Sequence, residues 1–233
     1  MRRMYLFVPF LFLIASTQAQ DISGLWVIDR VSVGNQNMTP VARWTRFSSD
    51  STYASGNGWH QNSVGSYHFD PTTEKLSMQN AFGVRDEFEP FSVTLTGNEM
   101  VWSRNENGAG VTVLLLRTDS LPMAPADFLL GVWKLQHVSN SDSENQEEAD
   151  KDETSYFHFR PDGLYHRINP DGDRESGYWH VNGHRPELTL LPQSEKKKET
   201  KWTVSVNSKS LVLEKDAAND QTERHFTRVH SLP

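Results

Sequence analysis

Histidine has the widest chemical reach of any residue type in this chain. Nine are present, and His158, His166, His180 and His184 crowd into the second half, where three neutral imidazoles brought together would hold zinc. The local pattern argues against a shared site. His158 stands between Phe157 and Phe159, and His180 between Trp179 and Val181, as His68 stands between Tyr67 and Phe69. In extended chain each imidazole then points away from its apolar neighbours. The reading is a set of exposed strand-face histidines with no metal. A second group of interest, Asp86, Glu87 and Glu89, is interleaved with Phe88 and Pro90, as in an exposed loop or edge strand rather than a paired acid and base. Cysteine is absent, and there is no Gly-x-Ser-x-Gly, no His-Glu-x-x-His and no glycine-rich phosphate loop. No catalytic residue, no cofactor and no enzymatic activity is expected.

The elements that must position any site are organised by a repeat. Gly24-Leu25-Trp26 is echoed by Gly131-Val132-Trp133, Asp50 and Tyr53 by Asp162 and Tyr165, and "GSYHFD" from Gly65 by "GYWHVN" from Gly177. Further on, "FSVTL" from Phe91 matches "WTVSV" from Trp202, and "RTDSLP" ending at Pro122 matches the terminal "RVHSLP". The spacing between partners drifts by only a few residues along the whole segment. The chain is one domain written twice, divided near Leu121 to Ala126, where prolines and alanines interrupt the pattern. The main insertion falls in the acidic run Ser141 to Glu153, which lacks the glycine of a calcium loop and reads as a solvated loop.

Each copy alternates with period two. "FSVTLTGNEMVW" and "KWTVSVNSKSLVL" are strand, turn, strand, and Pro-Asp-Gly at 161–163 and 170–172 brackets a short strand between tight turns. About eight strands per copy, each beside its sequence neighbour, make an antiparallel meander that closes into an up-and-down barrel, because closure removes both exposed edges. The period places Trp26, Ile28, Phe47, Tyr67, Phe69, Leu76, Met78, Phe91 to Leu95, Trp102, Val113 and Leu115 on the inner face of the first copy. In the second copy it places Trp133, Leu135, Phe157, Phe159, Trp179, Val181, Leu188, Leu190, Trp202 to Val206, Leu213 and Phe226 there. Each inner face ends in an arginine, Arg117 or Arg228.

Gly-x-Trp on a first strand with a single arginine on the last resembles the lipocalin and wider calycin pattern, as in exported bacterial lipocalin-like proteins. The resemblance covers both copies. It implies that the tryptophan closes one end of each barrel and that the arginine packs across its ring, Trp26 with Arg117 and Trp133 with Arg228. Each cation–π contact is worth about 1 to 2 kcal/mol in a partly desolvated site. Arg104 serves as the surface arginine for comparison. The copies are shorter than a lipocalin proper and lack its further motifs and disulfides, so each interior approaches the size that side chains alone fill.

The fold class expected is therefore all-β: a signal peptide at 1–19, a first eight-stranded antiparallel lipocalin-like barrel at 20–122 and a second at 123–233. Arg2 and Arg3, the apolar run Leu6 to Ala15 and the small polar residues up to Ala19 have the three-part layout of a secretory leader cleaved after about Ala19. An exported chain without cysteine reads as bacterial, located in the periplasm or outside the cell, with no membrane span once the leader is removed. Losing the leader's arginines takes the formal net charge from −7 to about −9, which disfavours nucleic acid as a partner. Two functions remain. One is a non-enzymatic binding protein carrying a small hydrophobic molecule in one barrel, at the end opposite the Gly-x-Trp plug. The first copy is the expected carrier: Val113 and Tyr67 stand where the second has the bulkier Arg224 and Trp179, the glycine-rich loop at Gly56 to Gly58 is looser, and Tyr53, Tyr67, Phe69 and Trp102 would line the cavity. The alternative is a ligand-free interaction module contacting an envelope protein or polysaccharide through exposed aromatics. Trp59, in its glycine-rich turn, is expected to pack on its own loop. The oligomeric state is left open.

Overall fold

A computed structural model describes residues 21–140, 147–148, 155–182, 185–217 and 220–232. The expected leader, His184 and most of the acidic run lie outside them. The first half contains β1 (Gly24–Val33), β2 (Gln36–Met38), β3 (Trp44–Phe47), β4 (Thr52–Asn57), β5 (His60–Asp70), β6 (Lys75–Asn80), β7 (Phe91–Thr96), β8 (Glu99–Glu106) and β9 (Ala109–Thr118). A five-residue helix, α1 (Pro125–Leu129), follows. The second half contains β10 (Gly131–Asn140), β11 (Glu147–Glu148), β12 (Tyr156–Phe159), β13 (Leu164–Ile168), β14 (Arg174–Val181), β15 (Glu187–Pro192), β16 (Thr200–Val206), β17 (Ser210–Ala217) and β18 (Asp220–Val229).

Both halves close. In barrel 1 the antiparallel order runs β1-β3-β4-β5-β6-β7-β8-β9 and returns through β1–β9; in barrel 2 it runs β10-β12-β13-β14-β15-β16-β17-β18 and returns through β10–β18. These are two closed eight-stranded antiparallel barrels, the architecture that the lipocalin resemblance implies. Closure also shows the duplication at atomic register: Trp26 pairs with Arg117 and Trp133 with Arg228, and both first strands carry a bulge, after Ile28 and after Leu135.

The alternation in the sequence is the alternation of burial. Trp26, Phe47, Leu76, Val93, Met100 and Leu115 are buried in one core, and Trp133, Phe159, Tyr165, Leu188, Leu211 and Phe226 in the other. Three features depart from expectation. β2 and β11 add a short hairpin edge to the far half of β1 and β10; "QNM" and "EE" are too polar and too short to announce strands. β11 therefore makes part of the acidic run a strand where a loop is expected. Ile22 and Leu129, which precede the first strand of each barrel, are buried plugs. Among the described residues no helix is long and apolar enough to cross a membrane.

The barrels meet at α1. Asp127 accepts from the Ala124 amide at 2.8 Å, capping the helix, and from the Trp59 amide of barrel 1 at 3.2 and 3.3 Å. The Gly56–Gly58 turn is thus packed rather than loose. The Trp44 ring lies 2.6 Å from where a Cβ on Gly56 would sit, and its indole N–H donates to the Gly58 carbonyl at 2.8 Å. Asp127 occupies the corresponding space at Gly58.

Candidate functional site

Each barrel has a plugged end and an open end. At the plugged end the Trp26 indole donates to the Ile22 carbonyl at 2.8 Å and the Trp133 indole to the Leu129 carbonyl at 2.7 Å. The Arg117 and Arg228 guanidinium carbons lie 4.3 Å from the centres of these rings. Gly24 and Gly131 hold φ of +128° and +119°, a conformation glycine adopts without strain, and a Cβ at either would strike the arginine. The copies differ in degree. Arg228 donates to the carbonyls of Leu130 (2.5 Å), Phe128 (2.5 Å) and Ser208 (2.8 Å) and is half-buried, and burial lowers its pKa. Arg117 is exposed and donates only to Ser23 (2.7 Å) and Asp21 (3.2 Å).

The residues expected to form a ligand site fall inside barrel 1. Tyr53 and Trp102 are buried in its core, and Tyr67 and Phe69 pack against it. Their polar atoms turn to the protein: the Tyr53 hydroxyl lies 3.3 Å from the Ser63 hydroxyl, and Tyr67 donates to the Ser48 carbonyl at 2.9 Å. Trp102 packs against Phe47 and Phe91, ring centres 5.9 and 5.6 Å apart, while its buried indole N–H has no partner among the described residues. Arg104, expected at the surface, has its side chain mostly covered instead. Its side chain is 10% exposed, lies 3.9 Å from the Phe91 ring and pairs with Asp86 and Glu106.

Among the described histidines are two cross-strand pairs, His137 stacked on His225 with ring centres 4.1 Å apart and His158 beside His166. His158 and His166 are cross-strand neighbours outside the core, with His166 beside the Ser176 hydroxyl (2.8 Å) and Arg160 (3.3 Å). Desolvation and the neighbouring His166 lower the pKa of His158. His180 is exposed on β14. Among the described residues no group of three metal-ligating side chains forms.

A cavity of about 410 Å³ opens in barrel 2, within the range of small-molecule sites. It lies at the end away from Trp133, the end expected from the plug, but in the copy the sequence disfavoured. Its deeper wall is Phe157, Leu190, Trp202 and Leu213; its outer wall includes Arg167, Glu175, Lys197, Lys198, Lys215 and Arg224. The cross-strand register explains the difference between copies. Where barrel 1 sets Trp102 opposite Val113, barrel 2 sets Leu213 opposite Arg224. Barrel 2 thus carries Leu213 where barrel 1 carries Trp102, its own indole standing instead at Trp202 in the place of Phe91, and the Arg224 guanidinium lies 4.9 Å from that ring. Where barrel 1 pairs Ser55 with Ser63, barrel 2 pairs Arg167 with Glu175.

Glu175 is the electrostatic centre of this wall. Its carboxylate accepts from the Tyr165 hydroxyl at 2.6 Å and from Lys197 at 2.5 Å. Burial alone would raise its pKa, but these two donors and the nearby Arg167 outweigh burial and hold it below the ordinary carboxylate value. Burial and the hydrogen bond to Glu175 push the Tyr165 phenol well above the ordinary tyrosine value. Glu175 is thus held as a carboxylate at the edge of an apolar interior.

At the open end of barrel 1 the β4–β5 turn and the β6–β7 loop present exposed apolar side chains instead. Trp59 is 72% exposed, against its expected packing on its own loop, and Phe82 and Val84 are 75% and 69% exposed. The carboxylates Asp86, Glu87 and Glu89 are exposed in the same loop, as expected.

No family model matches the chain, and no curated protein matches it. Among solved structures the chain is similar to a lipocalin-like protein from Bacteroides uniformis ATCC 8492, with 18% identity and a TM-score of 0.34 over 43% of this chain and 98% of that one.

Proposed function

We propose that this protein is an exported, non-enzymatic binding protein that carries a small molecule with a substantial apolar part in barrel 2. The observation that supports the reading is the cavity itself: about 410 Å³ at the open end, floored by Phe157, Leu190, Trp202 and Leu213, where the sister barrel is filled by Trp102. The test is native mass spectrometry of freshly purified protein together with Trp202 fluorescence titrated with decanol. A co-purifying adduct, or saturable quenching that the Leu213→Trp variant abolishes, supports the reading. Clean apoprotein that responds to no apolar compound sinks it.

A second reading, contact with an envelope protein or a polysaccharide, is favoured by Trp59, Phe82 and Val84 at the open end of barrel 1. The two roles divide between the copies, barrel 2 holding a ligand and barrel 1 making contact. Trp59→Ser with Phe82→Ser would then weaken partner capture while leaving ligand binding in barrel 2 intact.

A further inference from the structure

We infer that the open end of barrel 1 docks a short extended segment of another protein, one whose apolar residues are flanked by lysine or arginine. The inference rests on the contact reading above and names its partner class.

Three observations carry it. The first is a contrast between the copies. In barrel 1 the β4–β5 turn and the β6–β7 loop end in Trp59, Phe82 and Val84, which are 72%, 75% and 69% exposed. In barrel 2 the β13–β14 and β15–β16 connections carry Pro-Asp-Gly-Asp at 170–173 and Ser-Glu-Lys-Lys-Lys-Glu at 194–199 instead, and that barrel closes in the same strand order. Closing this architecture does not require apolar tips. The second is order. The Asn80 side chain accepts from the Phe82 amide at 2.7 Å and the Asn80 carbonyl from the Gly83 amide at 3.3 Å, while Asp127 holds the Trp59 amide. The tips are thus displayed by a pinned backbone, and little loop freedom is left to lose on binding. The third is charge. Arg104 is shared by Asp86 and Glu106, whereas Glu87 and Glu89 are exposed beside the tips. The loop and its partners on β8 set two arginines, Arg85 and Arg104, against these four acids, so the apolar tips stand in a negative surround.

The spacing sets the length of the docked segment. The Ala81 amide donates to the Val64 carbonyl at 2.9 Å, which brings Phe82 beside Ser63, and Trp59 lies four residues back from Ser63 along the chain. At about 3.3 Å per extended residue the two tips are about 13 Å apart, the reach of about four or five residues of strand. Tryptophan and phenylalanine are enriched at protein interfaces, and tryptophan is among the residues that dominate their binding energy. Glu87 and Glu89 would pair with the flanking cations and fix the orientation of the segment. A neutral polysaccharide would stack on Trp59 and leave both carboxylates unused, and an anionic polysaccharide or lipid surface would be repelled by them. A basic segment with apolar anchors uses every feature of the surface. A footprint this small falls below about 1,200 Å² of total buried surface, the class of transient complexes.

The experiment uses the full-length mature protein and three peptides that share the core Leu-Phe-Leu-Phe, flanked on both sides by Lys-Lys, Ser-Ser or Glu-Glu, with maltohexaose as a fourth probe. Each is titrated against the Trp59 indole and Gly83 amide resonances at low and high salt. The lysine-flanked peptide is expected to move both signals saturably and to bind about tenfold or more tightly than the glutamate-flanked one, with the serine-flanked peptide between them. Added salt is expected to narrow the gap. In Glu87→Gln/Glu89→Gln the ratio should fall to about twofold while affinity for the serine-flanked peptide is retained. Trp59→Ser/Phe82→Ser should abolish the Gly83 response to all three, and Tyr178→Ser, which removes an exposed aromatic ring of barrel 2, should change nothing. Equal binding of the three peptides by wild type would overturn the charge argument and leave the contact reading standing. A response to maltohexaose with none to any peptide would overturn the inference and make the partner a polysaccharide. Silence from all four probes would overturn both. The wild-type comparison decides the matter even if a double variant does not fold.

Discussion

Arginine 228 should matter more to its barrel than arginine 117 does to the other, although the two are equivalent in the repeat and lie at the same 4.3 Å from their tryptophans. Removing Arg228 deletes a cation–π contact in a half-buried site and leaves three carbonyls, of Leu130, Phe128 and Ser208, without their donor. The cation–π term is about 1 to 2 kcal/mol and the stranded carbonyls add a similar amount, so Arg228→Ala is expected to cost about 2 to 4 kcal/mol. Arg117 is solvent-exposed and holds two carbonyls, one of them at 3.2 Å. Water replaces much of what it provides, and Arg117→Ala is expected to cost about 1 kcal/mol. With a urea m-value of about 2 kcal/mol per molar, the midpoint of barrel 2 should fall by about 1 to 2 M and that of barrel 1 by about 0.5 M. The assay is a urea titration followed at the Trp133 and Trp26 indole N–H resonances, so that each barrel reports on itself. Equal shifts, or a larger one for Arg117, would refute the argument that carbonyl capture and burial, rather than the ring contact, set the strength of the closure.

Further outcomes follow from the same geometry. Gly131→Ala is expected to lower barrel 2 stability by about 1 to 3 kcal/mol, because alanine must adopt a φ near +119° and displace Arg228; a thermal melt unchanged from wild type would count against it. Leu213→Trp should fill the cavity with the residue barrel 1 uses and abolish ligand binding, with the far-ultraviolet spectrum and the Trp133 indole resonance unchanged. Glu175 is depressed in the folded state, so its contribution is present above the ordinary value of 4.5 and is lost as pH falls through the lower folded value; Glu175→Gln should flatten the acid limb of a stability–pH profile. Tyr165 is raised, so its contribution is present below the ordinary value of 10.0 and is lost as pH rises. In alkaline difference spectroscopy one tyrosine should resist ionisation, and Tyr165→Phe should remove that component. Asp127→Ala should speed amide exchange at Trp59 without moving the midpoint of either barrel; unchanged exchange would deny the helix its hold on barrel 1.

The barrels were legible because their signal is periodic. Trp26, Phe91 to Leu95 and Leu115 alternate along strands, and the second copy repeats the pattern with different residues, so inner face and register were readable twice. What escaped depends on sums over a layer. Side-chain volume counted position by position made Arg224 a filler, and it could not show that the Arg224 guanidinium lies along the Trp202 ring beside a cavity in barrel 2. Ile22 and Leu129 precede the strands and carry no periodic signal, although each lies four residues before a tryptophan whose indole bonds its carbonyl. Arg104 stood at a strand end in a polar stretch, and it is covered by Phe91 of β7, Glu106 of β8 and, from the β6–β7 loop, Asp86 and Phe88. The Gly56–Gly58 turn was read as looseness because glycine permits it. Here glycine is required by close approach, since Trp44 and Asp127 fill the space.

The most direct test of a ligand site in barrel 2 is the position of binding itself. The seven tryptophans supply indole N–H resonances in both barrels, and Trp202 lines the cavity while Trp102 fills the centre of its sister. Titration of the full mature protein with decanol is predicted to shift the Trp202 resonance saturably, leave Trp26 and Trp102 in place, and fail to shift Trp202 in Leu213→Trp. Saturable movement of Trp102 with Trp202 still would contradict the account and return the site to barrel 1.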